Sequence, residues 1–182
     1  MKKFLLLALT LVLIMSVFIG CSKEETPEGN NEDPVDVVTT ASIVDNGQAV
    51  IDGLGAEGTW IVCTLNDIVL EEDILVAGEF HDKDDEAKPL YRKLALYTQD
   101  ENHNITNSFN LTAPKMTVQS ENFRIQGGTF VGDVYVEANG FSLTSAVVEG
   151  NVYYATQEIM DSANIAAETA EITGVQEVKA AE

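Results

Sequence analysis

Two consecutive stretches of the chain repeat one another: VQSENFRIQGGTFVGDVYV at residues 118–136 and VEANGFSLTSAVVEGNVYY at residues 136–154. Placed over each other with an offset of eighteen positions, they align without a gap. The matched pairs are Phe123 with Phe141, Ile125 with Leu143, Phe130 with Val148, Gly132 with Gly150, Val134 with Val152 and Tyr135 with Tyr153. A fixed period of this length indicates a structure built from stacked, repeated units.

Each repeated unit contains three short apolar stretches separated by Gly or Asn. In the first unit these are Phe123 with Ile125, then Phe130, then Val134 with Val136. Alternation by two within a stretch predicts a strand with one buried face. Three such strands form one coil, and coils stacked about 4.8 Å apart share a core. The sequence therefore predicts an all-β fold, a single-stranded right-handed parallel β-helix of about 18 residues per coil, over residues 59–182.

The repeat continues on both sides of this stretch. Met116 and Val118 take the places of Val134 and Val136 one unit earlier. Gly174 takes the place of Gly150 after a six-residue insertion near residues 157–164. The apolar strands from Trp60 to Val178 leave room for about six coils.

Two other β folds share part of this pattern. A left-handed hexapeptide helix has a turn of the same length, but it needs an aliphatic residue at every sixth place, and the sixth place after Val118 is Arg124. A β-sandwich also has alternating strands and Gly turns. A gapless repeat with matching Gly, Phe and Tyr favours the β-helix over the sandwich.

A short helix is predicted ahead of the strands, in a helical cap at residues 41–58. Asp45 with Gln48 three residues later resembles a capping box, and Gly55 is suited to end a helix. The apolar face consists of Ala49, Val50 and Leu54. We expect this helix to cover the open end of the coil, with Trp60 packed beneath it.

Residues 1–20 have the pattern of a signal peptide. Lys2 and Lys3 precede an apolar run of fifteen residues, which as a helix is too short for the roughly 30 Å hydrocarbon layer. Gly20 before Cys21 resembles the lipobox of bacterial lipoproteins, which implies that Cys21 carries acyl chains such as palmitate and begins the mature chain. The partner would then be a lipid bilayer, and the location the extracytoplasmic side of the cell membrane. An ordinary signal peptide with a coincidental cysteine is the alternative.

Residues 21–40 are predicted to be the lipidated cysteine and a disordered acidic tether. Between Ser22 and Asp36 there are six acidic residues and a single aliphatic one, too few to offset the entropy of ordering. The whole chain has a net charge of −20, with 30 acidic against 10 basic residues. This excess argues against a nucleic-acid partner, because phosphate binding depends on clustered Lys and Arg. Two cysteines are too few for a disulfide scaffold.

The sequence IQGGTFVGDVYV at residues 125–136 and its copy AVVEGNVYY at residues 146–154 resemble the repeat of the bactofilins. These are polymer-forming bacterial cytoskeletal proteins built on a right-handed triangular β-helix. The resemblance covers about residues 111–178 and implies a homo-oligomer formed by end-to-end stacking, without nucleotide. The chain differs from the family in its export and lipidation signal and in its polar last residues, 179–182.

Two surface features are candidate sites. The carboxylates of Asp82, Asp84, Asp85 and Glu86 could supply oxygen ligands to Ca²⁺, although their spacing lacks the Gly and terminal Glu of an EF-hand. A solvated loop between strands is the simpler interpretation. Tyr135 and Tyr153 are expected to point outward one coil apart, as a platform for a sugar or partner or as a stabilising ladder.

The residue inventory predicts a protein that is not an enzyme and needs no cofactor, apart from the candidate Ca²⁺. The chain has no G-x-S-x-G or Gly-rich phosphate loop, and its two histidines lack a partner motif. We therefore expect a membrane-anchored lipoprotein with a structural, scaffolding role. The alternative is an envelope glycan- or partner-binding module that uses the outward aromatic and acidic residues.

Overall fold

The computed structural model describes residues 41–179, apart from the side chain of Ala41. Strands hold 45% and helices 12% of these residues, so the predicted all-β class is confirmed. The predicted signal peptide at residues 1–20, Cys21 and the predicted tether up to residue 40 lie outside the described residues, so these remain predictions. Within residues 41–179, no helix has the length and apolar character needed to cross a membrane.

The described chain contains sixteen strands and two α-helices. The strands are β1 Ala41–Val44, β2 Ile61–Thr64, β3 Ile68–Val69, β4 Ile74–Val76, β5 Arg92–Ala95, β6 Tyr97–Gln99, β7 Ile105–Ser108, β8 Asn110–Val118, β9 Phe123–Gln126, β10 Thr129–Val136, β11 Ser142–Thr144, β12 Val147–Glu149, β13 Val152–Tyr154, β14 Asn164–Ile165, β15 Glu171–Ile172 and β16 Gln176–Val178. The helices are α1 Gly47–Leu54 and α2 Gln157–Ser162, and a short 3-10 turn covers Asp82–Asp84.

The strands lie in two parallel sheets and one small antiparallel pair. The first sheet has six strands in the order β1-β2-β5-β9-β11-β14. The second sheet has eight: β15-β12-β10-β13-β16, with β8 joining β10 to β3 and β4. All pairs within these two sheets are parallel. The pair β6–β7 is an antiparallel hairpin between β5 and β8, which the sequence repeat does not predict.

The predicted register is confirmed where the repeat is strongest. Val134 pairs with Val152 and Tyr135 with Tyr153, while Phe130 pairs with Val148. Gly132 and Gly150 lie one above the other, and a Cβ on Gly150 would overlap the carbonyl oxygen of Gly132. The offset seen in the sequence repeat therefore holds across both halves of β10.

The inward side chains of the two sheets form one hydrophobic core. Alternation along each strand places one residue in two inside, as in β9, where Phe123 and Ile125 are fully buried and Arg124 is not. Phe130, Val148 and Phe141 belong to the same core, as their places in the repeat predict. Burying a large apolar side chain contributes about 1.5–3 kcal/mol, so these stacked positions supply most of the stability.

Helix α1 confirms the predicted helix but not its boundaries. The N-cap is Asn46 rather than Asp45, and the Asn46 side chain accepts a hydrogen bond from the Ala49 amide at 3.0 Å. Gly55 ends the helix as predicted. The predicted helical cap at residues 41–58 is wrong over its first four residues, because β1 pairs with β2 there and buries Val44. The β-branched Ile43 and Val44 favour this strand over a helix.

Arg92 holds α1 against the sheets from a fully buried position, with 1% of its surface exposed. Its guanidinium donates at 2.7 Å and 2.8 Å to the carbonyls of Gly53 and Gly55, where the helix ends. Its remaining acceptors are the carbonyls of Thr59 and Ala77 and the hydroxyl of Ser120. A cation is favourable at a helix C-terminus, and burial lowers the pKa of Arg92 only to about 10, so it stays charged at neutral pH.

The six-residue insertion in the repeat is helix α2, capped by the hydroxyl of Thr156. Its residues Ile159 and Met160 pack against the core. After the helix the repeat resumes, and Val152 pairs with Gln176, its counterpart once the inserted residues are discounted. The Gly174 amide donates to the Gly150 carbonyl at 3.0 Å, which confirms the predicted place of Gly174.

Candidate functional site

Tyr135 and Tyr153 lie side by side on the outer face of the second sheet. They pair in register, and their ring centroids are 4.8 Å apart with an angle of 41° between the planes. Both side chains are half-buried. The predicted outward tyrosine pair is therefore present.

Lysine side chains cover this tyrosine pair. The Lys179 ammonium lies 4.8 Å from the centre of the Tyr153 ring, and the Lys115 ammonium lies 5.9 Å from that of Tyr135. Lys115 is held by Asp73 at 3.0 Å. The depression beside the rings has no volume that would admit even a water molecule. This geometry fits a stabilising ladder better than a ligand platform.

The acidic loop does not gather its carboxylates. Asp82 pairs with Lys88 at 3.8 Å, and an oxygen of Asp85 accepts from the Ala87 amide at 3.1 Å. Asp84 and Glu86 are exposed. Throughout residues 41–179, no three His, Cys, Asp or Glu side chains come together in a group that could hold a metal ion. The four candidate Ca²⁺ ligands thus lie on one loop, but their carboxylates do not converge on a common site.

A groove on the outer face of the first sheet has a volume of about 650 Å³. Its floor includes one row of neighbouring strand positions: Ile61, Lys93, Arg124, Ser142 and Asn164. Trp60, Tyr91, Asn122 and the carboxylate of Asp82 also line it. The groove therefore combines cations, aromatic rings and amides.

Lys93 and Arg124 are direct neighbours across β5 and β9. Neither forms a salt bridge with an acidic residue of the described chain. Arg124 donates to the Ser142 hydroxyl at 3.3 Å, and its guanidinium lies 5.3 Å from the Tyr91 ring centre. Burial, with a smaller contribution from the charge of Arg124, lowers the pKa of Lys93. The two positive charges thus repel each other in a partly desolvated place.

Trp60 is 4% exposed and packs against Tyr91, with ring centroids 6.0 Å apart and planes at 54°. Its indole N–H is buried and has no hydrogen-bond partner among the described residues. Buried indole donors usually have a partner, so the unpaired donor of Trp60 is an exception.

The sequence reasoning missed this groove. Lys93 and Arg124 are separated in sequence by the hairpin β6–β7 and strand β8, so the period of the repeat does not align them. The available signal was composition, since a Tyr-Arg-Lys run is unusual in so acidic a chain.

No protein-family model, no curated protein and no solved structure matches this chain. The function is therefore inferred from the geometry and from the sequence.

Proposed function

We propose that this protein is a bactofilin-like scaffold lipoprotein, anchored through acyl chains on Cys21 to the extracytoplasmic side of the cell membrane. In this proposal, the β-domain is a single-stranded, right-handed parallel β-helix of about 18 residues per coil. The parallel pairs β9–β11, β10–β12 and β10–β13, all at the offset of the sequence repeat, support that fold.

The observation that carries the scaffold role is the open edge at the C-terminal end of both sheets. Strands β14, β15 and β16 each pair on one side only within the described chain. Val175 and Val178 beside them are 51% and 42% exposed. Unpaired backbone groups next to apolar side chains form a template for another strand. The proposed occupant is β1 of a second copy, which likewise pairs on one side among residues 41–179.

Charge sets the conditions for this association. Glu171 and Glu177 lie on the C-terminal strands, and Asp45 directly follows β1. The approaching ends are both acidic, so they repel each other at low ionic strength. Salt screens charges over about 10 Å at 0.1 M, and we expect end-to-end association to strengthen as salt is added.

Sedimentation velocity of the detergent-extracted full-length protein at low and at moderate NaCl concentration tests the scaffold role. We expect larger species at the higher salt and their loss in Val178→Lys. Ile105→Lys is the matched control, because Ile105 is 40% exposed but lies on the hairpin, away from the sheet ends. A monomer at every salt concentration would contradict the scaffold.

Anchoring is tested separately by Cys21→Ser. We expect wild-type protein to incorporate labelled palmitate and to fractionate with membranes, and the variant to do neither. Signal cleavage without palmitate incorporation in the wild type would instead support an ordinary signal peptide.

A second candidate function, a binding module, is favoured by the groove on the first sheet rather than by the covered tyrosine pair.

A further inference from the structure

We propose that the groove on the first sheet binds a small saccharide that carries one anionic group, a carboxylate or a phosphate. Lys93 and Arg124 would hold the anionic oxygens, and Tyr91, supported by Trp60 behind it, would contact a sugar ring. This proposal does not depend on self-association.

The first support is a charge arrangement that folding does not explain. Only seven Lys and Arg residues occur within residues 41–179. Two of them, Lys93 and Arg124, are nevertheless placed directly opposite each other on adjacent strands. Like charges in this position destabilise a sheet, and burial of Lys93 adds to the cost. An anion between them would offset the repulsion of the two positive charges.

The second support is the guanidinium geometry. Arg124 uses Nε for the Ser142 hydroxyl at 3.3 Å. Its terminal nitrogens have no carboxylate partner among the described residues. Arginine presents a planar fork that suits carboxylate and phosphate oxygens, and the ammonium of Lys93 supplies a second positive charge beside it.

The aromatic and polar walls favour a sugar over a bare anion. Trp60 is 4% exposed and packs against Tyr91 at 54°, so the half-buried Tyr91 is the aromatic ring that a sugar can reach. Asn122, Asn164 and Ser142 add amide and hydroxyl groups able to bind sugar hydroxyls. Pockets that combine aromatic surface with a few directed polar groups are typical of small-molecule sites.

Size and charge limit the ligand to a small molecule with one anionic group. A volume of about 650 Å³ lies in the range of small-molecule pockets, about 300–1,000 Å³. The chain as a whole carries −20, so a polyanion extending beyond the groove would be repelled. A single anionic group held between Lys93 and Arg124 faces both cations at short range, where salt screens little.

Trp60 provides a direct readout, because it is the only tryptophan in the sequence and it lines the groove. The experiment is a fluorescence titration of the detergent-extracted full-length protein. The probes are a glucose–glucuronic acid disaccharide, the glucose-only disaccharide, glucose 6-phosphate, free acetate and inorganic phosphate. A tri-glutamate peptide is a further arm.

We expect saturable binding of at least one acidic sugar, with the two acidic probes separating carboxylate from phosphate recognition. We expect Lys93→Gln and Arg124→Gln to weaken it about tenfold or more, Arg124→Lys to weaken it less, and added NaCl to weaken it further. Lys83→Gln is the control, because Lys83 is an exposed cation of the neighbouring loop. Melting temperatures of all variants establish that each is folded.

Several results would overturn the proposal. They are no saturable response to either acidic sugar, equal binding of the neutral disaccharide, equal binding of the free anions, or tighter binding of the glutamate peptide. Unchanged affinity in folded Lys93→Gln and Arg124→Gln would also overturn it.

Discussion

Asp133 and Asn151, which occupy equivalent places in successive repeats, are joined by two hydrogen bonds at one corner of the second sheet. One oxygen of Asp133 accepts from the Asn151 backbone amide at 2.9 Å and from its side-chain amide at 3.0 Å. The Asn151 side chain in turn accepts from the Val175 amide at 3.0 Å. These side chains therefore link three successive corners of the sheet. They also accept hydrogen bonds from the backbone amides of Asn151 and Val175.

Asp133→Ala should destabilise the fold, because the partly buried Asn151 loses its acceptor. We expect a loss of about 1–2 kcal/mol in the free energy of unfolding, measured by urea denaturation. Asp133→Asn keeps one acceptor oxygen and should lose less. Equal stability of the wild type and Asp133→Ala would show that water replaces this link at no cost.

Gly132→Ala should be more damaging than another glycine substitution. Gly132 has a φ of +142°, and a Cβ there would overlap the Ala113 carbonyl oxygen. We expect a loss of about 2–3 kcal/mol or more, from strain and from displacement of the neighbouring strand. Gly55→Ala is the control, because Gly55 has a φ of −66°, and it should change the stability by less than about 1 kcal/mol. Similar losses in both variants would contradict the close stacking of these corners.

Arg92→Met should strongly destabilise the protein. The change keeps much of the side-chain volume but leaves buried carbonyls, including those of Gly53 and Gly55, without a donor. We expect a loss of about 3–5 kcal/mol in chemical denaturation, with Arg92→Lys intermediate because an ammonium reaches fewer acceptors. A stable Arg92→Met protein would show that α1 does not need the hydrogen bonds donated by Arg92.

The repeat made part of the fold predictable. Phe130 over Val148 and Gly132 over Gly150 follow from an offset that needs no gap, because each residue contacts its counterpart one unit away. The helix α2 was foreseen only as an insertion, since six extra residues at a corner leave the strand register intact.

The remaining features depend on contacts between residues that the sequence repeat does not relate to each other. Arg92 occupies an inward position of β5, where general rules place an apolar residue, and only the nearby end of α1 makes it acceptable. Lys93 lies beside Arg124 because β5 pairs with β9. The hairpin β6–β7 lies between these strands in the sequence, and its length could not be predicted from the repeat. The spacing of Asp45 and Gln48 predicts Asp45 as the N-cap, but the adjacent Asn46 has equal capping ability and is the residue that caps the helix.

Replacing Tyr135 and Tyr153 together by Ala should lower the melting temperature. The rings pack at 4.8 Å and carry Lys179 on one side, so their loss removes aromatic contact and cation–π attraction. We expect a loss of about 1–2 kcal/mol, seen as a lower midpoint in thermal unfolding. The double Phe variant is the control and should stay near the wild type. An unchanged melting temperature together with lost envelope binding would instead support a ligand platform.

Alkaline pH should destabilise the fold through Tyr154. This side chain is 1% exposed, and burial raises its pKa to about 12 from an ordinary value of 10.0. Below pH 10 the tyrosine is neutral in both the folded and the unfolded chain, and it adds no pH dependence. Between pH 10 and 12 only the unfolded chain ionises, so stability falls as pH rises, by up to about 3 kcal/mol in total. Urea midpoints at pH 9, 10 and 11 measure this fall. Tyr154→Phe removes the hydroxyl and should reduce the slope, leaving the smaller contribution of other tyrosines whose pKa burial also raises, such as Tyr91 and Tyr97. An identical slope in the variant would contradict ionisation of Tyr154 as a cause.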